Sequence, residues 1–199
     1  MKFIGYYNKS VILTYISVLS AVCGLFFAFE HQMKYGLLAL MVSGACDLVD
    51  GSVARRCERS EKQENFGIQL DSLADTVGFL ALPSALLLSL EGNPYITIPV
   101  LGLYCVMGVV RLAWFNVSAS SAPKAFQGLP VTQIALVLPL MYMLAHVFFS
   151  SFLHPFLVVV FLIEAILFVL NVRIPKPRGV VMYVLLALFF FTGVGVVLL

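Results

Sequence analysis

An all-helical membrane bundle of about seven spans is what this sequence predicts, and three observations predict it. The 199-residue chain is 61% hydrophobic with a mean hydropathy of +1.02, which is more apolar surface than a soluble domain of this length can enclose. The apolar side chains fall into runs of roughly 20 residues, the length that crosses a bilayer as a helix. The basic side chains fall almost entirely between those runs. A net charge of +2 is too small to point to a nucleic-acid partner, and none is expected.

The runs lie near residues 11–29, 34–54, 67–90, 95–117, 130–149, 153–171 and 179–199, which makes seven spans, with six and eight as the bounds. The opening MKFIGYYNKS is short, aromatic and cationic, and no small-residue cleavage site follows it. It reads as an interfacial segment and not as a cleaved signal, so the chain is expected to stay whole as a single domain over 1–199. With the N-terminus in the cytoplasm, one side receives Lys2, Lys9, Arg55, Arg56, Arg59, Lys62, Lys124, Arg173, Lys176 and Arg178, and the other only Lys34. That bias predicts a multi-pass protein of the cell membrane with its N-terminus in and its C-terminus out.

The acids break the apolar pattern inside two spans. At 100° per residue, with Asp47 at 0°, Asp50 falls at about −60°, Gly51 at about +40° and Ala54 at about −20°. Ser43 and Gly44 extend the same stripe one turn back, while Leu48 and Val53 point elsewhere. With Asp71 at 0°, the next span places Gly67 at about −40°, Asp75 at about +40° and Gly78 at about −20°. A polar connection containing RSEKQEN joins the two stretches, so an antiparallel hairpin brings four carboxylates together near the cytoplasmic end.

Four carboxylates on two small-residue faces are too crowded to stay charged without cations beside them. Three readings compete. The acids pair with Arg55, Arg56 or Arg111 as buried salt bridges; or they line an ion or proton path; or they hold divalent cations, since Mg²⁺ and Mn²⁺ prefer carboxylate oxygens and four such groups can hold two ions. The third favours phosphoryl chemistry on a substrate that is part lipid and part polar, with glycines admitting phosphate to the backbone and Arg55 neutralising it. The cysteines, Cys23, Cys46, Cys57 and Cys105, show no ligand spacing and read as small buried thiols.

The arrangement Asp47-x2-Asp50-Gly51-x2-Ala54-Arg55, then Gly67-x3-Asp71-x3-Asp75, resembles the signature of the CDP-alcohol phosphotransferases. LDSLAD, RLAWFN at 111–116, GLP at 128–130 and the basic loop VRIPKPR at 172–178 are most similar to the phosphatidylserine synthase branch. The resemblance implies metal-dependent transfer of a phosphatidyl group from CDP-diacylglycerol to a small alcohol, L-serine in this branch, with release of CMP. It implies two divalent cations, Mg²⁺ or Mn²⁺, on Asp47, Asp50, Asp71 and Asp75, with Asp75 also the general base. It implies a CDP surface at Gly51, Ala54, Arg55 and Gly67, and a homodimer in the membrane lipid. Glycerol phosphate, inositol phosphate, inositol and choline remain alternative acceptors, and a cation carrier is the non-enzymatic alternative.

Three departures from the family pattern follow. Eleven residues separate Arg55 from Gly67 where eight or nine are usual, an insertion expected to lengthen a cytoplasmic turn. Trp114 stands where the branch commonly has a second arginine, and ILTYISVLSAVCG replaces a Pro-Asn-rich opening. A serine carboxylate still needs a cation, and Arg111 or Lys124 can supply it. Arg111 also suits a snorkelling role, and Lys124 an ordinary cytoplasmic loop. Thr14, Ser17 and Ser20 recur at helical spacing, for nucleotide contact or for helix packing. Glu164 reads as an interhelical contact, and His31, His146 and His154 as interfacial residues at the outer ends.

Overall fold

The computed structural model describes residues 4–7, 9, 11–54, 56–118, 125–175 and 180–199, with backbone alone at 52, 125–127, 173–175, 180 and 181. Among the described residues seven helical rods follow one another, as the hydropathy pattern predicts. They are α1 (Ile12–Phe29), α2 (Met33–Ala54), a composite third rod, then α5 (Pro94–Ser118), α6 (Ile134–Phe148), α7 (Leu153–Val169) and α8 (Val180–Leu198). The composite rod is made of α3 (Glu61–Asp75), a π-helical segment (Thr76–Ala81) and α4 (Leu82–Leu88). Among the described residues, α1, the composite rod, α5, α6 with its leading turn and α7 with its own are long and apolar enough to cross a membrane. α8 is apolar along its 19 residues, and α2 carries Lys34, Asp47 and Asp50.

Two features differ from the sequence expectation. The third rod begins at Glu61 and not near residue 67, because Ser60 caps it. The Ser60 hydroxyl accepts from the Gln63 N–H at 3.4 Å, the Gln63 side chain accepts from the Ser60 N–H at 2.9 Å, and Glu61 and Glu64 add negative charge to the first turn. The extra residues between Arg55 and Gly67 therefore extend a helix instead of lengthening a turn. The second feature is a small antiparallel ladder, β1 (Ala125–Gln127) on β2 (Arg173–Pro175), with Phe126 opposite Ile174. It ties the loop after α5 to the loop after α7, a pairing between distant segments that neither segment's pattern announces.

Packing follows small residues. α1 lies along α2, α5 lies along α7, and the composite rod contacts α1, α2 and α5. A Cβ added at Gly36 would fall 2.3 Å from Leu86 Cδ2, and one at Gly44 would fall 2.4 Å from the Ala135 Cβ. Close approach of this kind is how helices gain contact in lipid, where apolar tails compete equally for every leucine. Leu37, Leu40, Phe79, Leu82, Leu86, Tyr104, Ile134 and Phe161 are fully buried at the centre, while Leu19, Phe26, Ile98, Val106 and Phe190 face outward. Hydroxyls in the α1–α2 seam bond internally, as a dry environment requires. Ser17 Oγ lies 2.6 Å from Ser43 Oγ, and Ser20 donates to the Ala39 carbonyl at 2.9 Å.

A branched side chain at position 36 must displace Leu86. Gly36→Val is expected to lower thermal stability in detergent by about 1–3 kcal/mol, the usual cost of overpacking. Gly102→Val, whose added Cβ meets nothing within 4 Å, is the control and should leave the melting temperature near that of the parent. Equal melting by intrinsic fluorescence for the two variants would contradict the packing account.

Candidate active site

The hairpin of α2 and α3 does what the two stripes predict. Carboxylate oxygens of Asp47, Asp71 and Asp75 lie within 4.8 Å of one another, and Asp50 stands against Asp71. Asp75 is buried, 7% exposed, and the other three are half-buried. The i, i+3 spacing on α2 and i, i+4 spacing on α3 put each pair on one face. Gly78, one turn beyond Asp75, lets the helices close, since a Cβ there would fall 2.8 Å from the Ser43 hydroxyl.

Among the described residues, no basic side chain lies within salt-bridge distance of Asp47, Asp71 or Asp75. Arg111 faces elsewhere, with its guanidinium over the Phe115 ring at 5.5 Å, and Arg56 is exposed. This removes Arg56 and Arg111 from the buried salt-bridge reading; Arg55 lies outside the described residues. A donor set made only of carboxylate oxygens, converging within one ion's reach, fits a hard divalent cation.

Neutral groups position the acids. Thr14 of α1 donates to Asp50 Oδ2 at 3.3 Å, and Thr132 hydrogen-bonds Asp47 from the turn Val131–Gln133. Gln133, the next residue, donates to the buried Glu164 of α7, so one short turn ties the acidic centre to the far side of the bundle. Ser72, beside Asp71, donates to Asn116 of α5 at 3.0 Å. Neither Thr132 nor Asn116 was given a role from the sequence, although Asn116 closes the RLAWFN stretch and Thr132 lies two residues after GLP. Arg59 was read only as a cytoplasmic charge, yet its Nη1 lies 3.9 Å from where a Gly67 Cβ would stand, and its Nη2 lies 4.0 Å from Glu64 Oε1. Gly67 otherwise borders open space, while Gly51 and Ala54 are half-buried on α2.

Arg111 heads a second feature. It is 6% exposed and its Nε has no hydrogen-bond partner among the described residues. It opens onto a cavity of about 320 Å³ lined also by Trp114, Gly128, Phe168 and Asn171. Gly128 has φ +74°, and a Cβ there would fall 2.5 Å from the Phe168 carbonyl oxygen. Only glycine fits that position. The turn is pinned by Gly128 N–H to the Val172 carbonyl at 3.0 Å and Leu129 N–H to the Leu167 carbonyl at 3.1 Å. Ser17, by contrast, is turned into the α1–α2 seam against Ser43, and Lys124 lies outside the described residues. Thr97 and His154 bond at the opposite end of the bundle, with Thr97 Oγ1 3.1 Å from His154 Nε2.

A family model described as CDP-alcohol phosphatidyltransferase matches residues 7–192. A CDP-diacylglycerol–serine O-phosphatidyltransferase of Helicobacter pylori is 28% identical over 174 residues, 85% of this chain and 72% of the relative. Its counterpart by name in Saccharomyces cerevisiae is 30% identical over 169 residues, 74% of this chain and 60% of the relative. An archaetidylserine synthase of Methanothermobacter thermautotrophicus is 25% identical over 169 residues, 84% of this chain and 70% of the relative.

Carboxylates gathered this closely repel one another unless a cation lies among them. In EDTA at pH 8, Asp71→Asn is therefore expected to be more stable than the parent by about 1 kcal/mol, a melting shift of roughly 2–4 °C at this chain length. Mn²⁺ should reverse the order by stabilising the parent more. A variant less stable than the parent in EDTA would mean that the acids are held by partners and do not repel.

Proposed function

We propose that this membrane transferase, which belongs to the CDP-alcohol phosphatidyltransferase family, transfers a phosphatidyl group from CDP-diacylglycerol to L-serine, forming phosphatidylserine and releasing CMP. The observation that carries the chemistry is the convergence of Asp47, Asp71 and Asp75 within 4.8 Å, with Asp50 against Asp71. The choice of serine is supported by the relatives' names, which agree on serine across a phosphatidyl and an archaetidyl product.

The acceptor hydroxyl oxygen forms a bond to the lipid-bearing phosphorus of the donor. The bond from that phosphorus to the oxygen bridging to the cytidine phosphate breaks, and its electron pair leaves on CMP. Asp75, the most deeply buried of the acids, takes the hydroxyl proton, an alcohol being too weak an acid to lose it unaided at neutral pH. Asp47, Asp50, Asp71 and Asp75 would hold two divalent cations, Mg²⁺ or Mn²⁺, which would supply positive charge to the diphosphate and to the departing CMP. Thr14 orients Asp50 and Thr132 orients Asp47. Gly51, Ala54 and Gly67 give the cytidine diphosphate close access to the backbone, with Arg55 as its cation and Ser17 stiffening the adjoining helix. Arg111 takes the serine carboxylate, for which its buried Nε is free among the described residues, and Lys124 is the alternative cation for that carboxylate. The chain works as a homodimer, a reading checked by its mass in detergent from light scattering.

The test is purified protein with CDP-diacylglycerol, Mg²⁺ or Mn²⁺, and serine, glycerol phosphate, inositol phosphate, inositol or choline. CMP release and the mass of the lipid product are the readouts. Product with serine alone is expected; product only with another alcohol would move the acceptor, and no CMP with any of them would end the proposal. Asp75→Asn should lower kcat by at least about 10²-fold without loss of fold, and Arg111→Lys should raise the serine KM more than it changes kcat.

The acids face the cytoplasm in this proposal, with the N-terminus on the same side. An impermeant maleimide should then label Gln32→Cys in intact cells and native Cys57 only after permeabilisation. The opposite pattern would invert the topology.

A further inference from the structure

The composite third rod changes helix type directly after Asp75. From Thr76 to Ala81 it is π-helical, and the Leu82 N–H reaches back five residues to the Val77 carbonyl. An α-helical bond to the Phe79 carbonyl would come from the N–H of residue 83, which is proline and has none. That carbonyl is fully buried with Phe79 in the apolar core, where an unpaired acceptor is costly. The missing donor is supplied from another rod: Tyr104 of α5, itself fully buried, donates its hydroxyl to the Phe79 carbonyl at 2.6 Å.

The tyrosine ring is held for this task. Phe161 packs edge-on at 4.8 Å between centroids and Phe168 lies tilted at 5.2 Å, both from α7. Side-chain hydroxyls take neighbouring carbonyls as well, Thr76 to Ser72 at 2.9 Å and Ser84 to Leu80 at 2.7 Å. Below the segment, Leu82 and Leu86 are locked against the small faces of α1 and α2 at Gly24 and Gly36. Above it stand Asp71 and Asp75. A π turn takes up one residue more than an α turn, so it shifts the acidic half against the locked half by about 100°. Gly78, inside the segment, abuts Ser43, one turn ahead of Asp47 on α2.

We propose that Tyr104 is a positioning residue of the active site: its hydrogen bond to the Phe79 carbonyl holds the π-helical segment that sets the rotation of Asp71 and Asp75 towards Asp47 and Asp50. The proposal rests on the reading that these four acids form the catalytic centre. Tyr104 touches no substrate. Its hydroxyl acts through backbone geometry, and Pro83 is what makes that hydroxyl necessary.

The test compares Tyr104→Phe, Pro83→Ala and the double variant in the full chain, reading CMP release and Mn²⁺ affinity by electron paramagnetic resonance on the same preparations. Tyr104→Phe should lower kcat by about 10- to 100-fold, the scale of a small misplacement of catalytic groups. It should weaken Mn²⁺ binding several-fold while leaving the KM for CDP-diacylglycerol within about twofold. Pro83→Ala restores a backbone donor to Phe79 and favours a continuous α-helix, so it should impair kcat and Mn²⁺ affinity by itself. Adding Tyr104→Phe to Pro83→Ala should then cost little more, because the carbonyl no longer depends on the hydroxyl. Parent-like kcat and Mn²⁺ affinity in Tyr104→Phe, with only the melting temperature lowered, would overturn the proposal. Should that variant fail to fold, parent-like kcat and Mn²⁺ affinity in Pro83→Ala would overturn it equally. Failure of the catalytic reading looks different: Asp75→Asn would keep its turnover whatever Tyr104→Phe does.

Discussion

Mutual repulsion among four carboxylates is the constraint on which the rest of this structure depends. Asp47, Asp71 and Asp75 bring oxygens within 4.8 Å of one another, an arrangement that opposes the association of the two helices carrying it. The bundle overcomes that opposition by making every neighbouring contact close. Gly78 admits Ser43, Gly44 admits Ala135, and Gly36 admits Leu86, so α2 is gripped along its length by the composite rod and α6. A site that stores unfavourable electrostatics in a well-packed frame is the usual exchange of stability for function.

Among the described residues, the hydrogen bonds that position the acids come from neutral groups. Thr14, Thr132, Ser72 and Asn116 hold carboxylates or their neighbours without adding charge, which leaves the oxygens available to a cation. The turn Val131–Gln133 extends this control across the molecule, since its threonine meets Asp47 while its glutamine meets Glu164 on α7. Arg111, buried and stacked over Phe115, stands in a separate cavity on α5 beside the Gly128 turn. Among the described residues, the buried arginine and the three converging acids therefore stand on different rods.

How much was legible in advance differs by level. The seven rods and the pairing of acids on single helix faces follow from apolar run length and 100° periodicity, both local properties of the chain, whereas the spacing of Ser17 and Ser20 left nucleotide contact and helix packing equally open until the α1–α2 seam placed them in packing. The start of α3 was also local, in the Ser60–Gln63 capping box, but the polar run RSEKQEN hid it because solvated helices and loops share a composition. The β1–β2 ladder, Thr132 against Asp47 and Arg59 beside Gly67 join residues far apart in sequence or on different turns, and no periodicity encodes such meetings.

By itself, the sequence determined that this chain is a helical membrane protein with two acidic faces at one end, because side-chain chemistry and helix geometry act within a few residues. Only the tertiary structure decided how those faces are turned towards each other. The π-helical segment after Asp75 arises from Pro83, yet it persists because Tyr104, on a different rod, satisfies the Phe79 carbonyl. A buried backbone acceptor must find a donor wherever the fold can bring one, and that partner is chosen by packing in three dimensions.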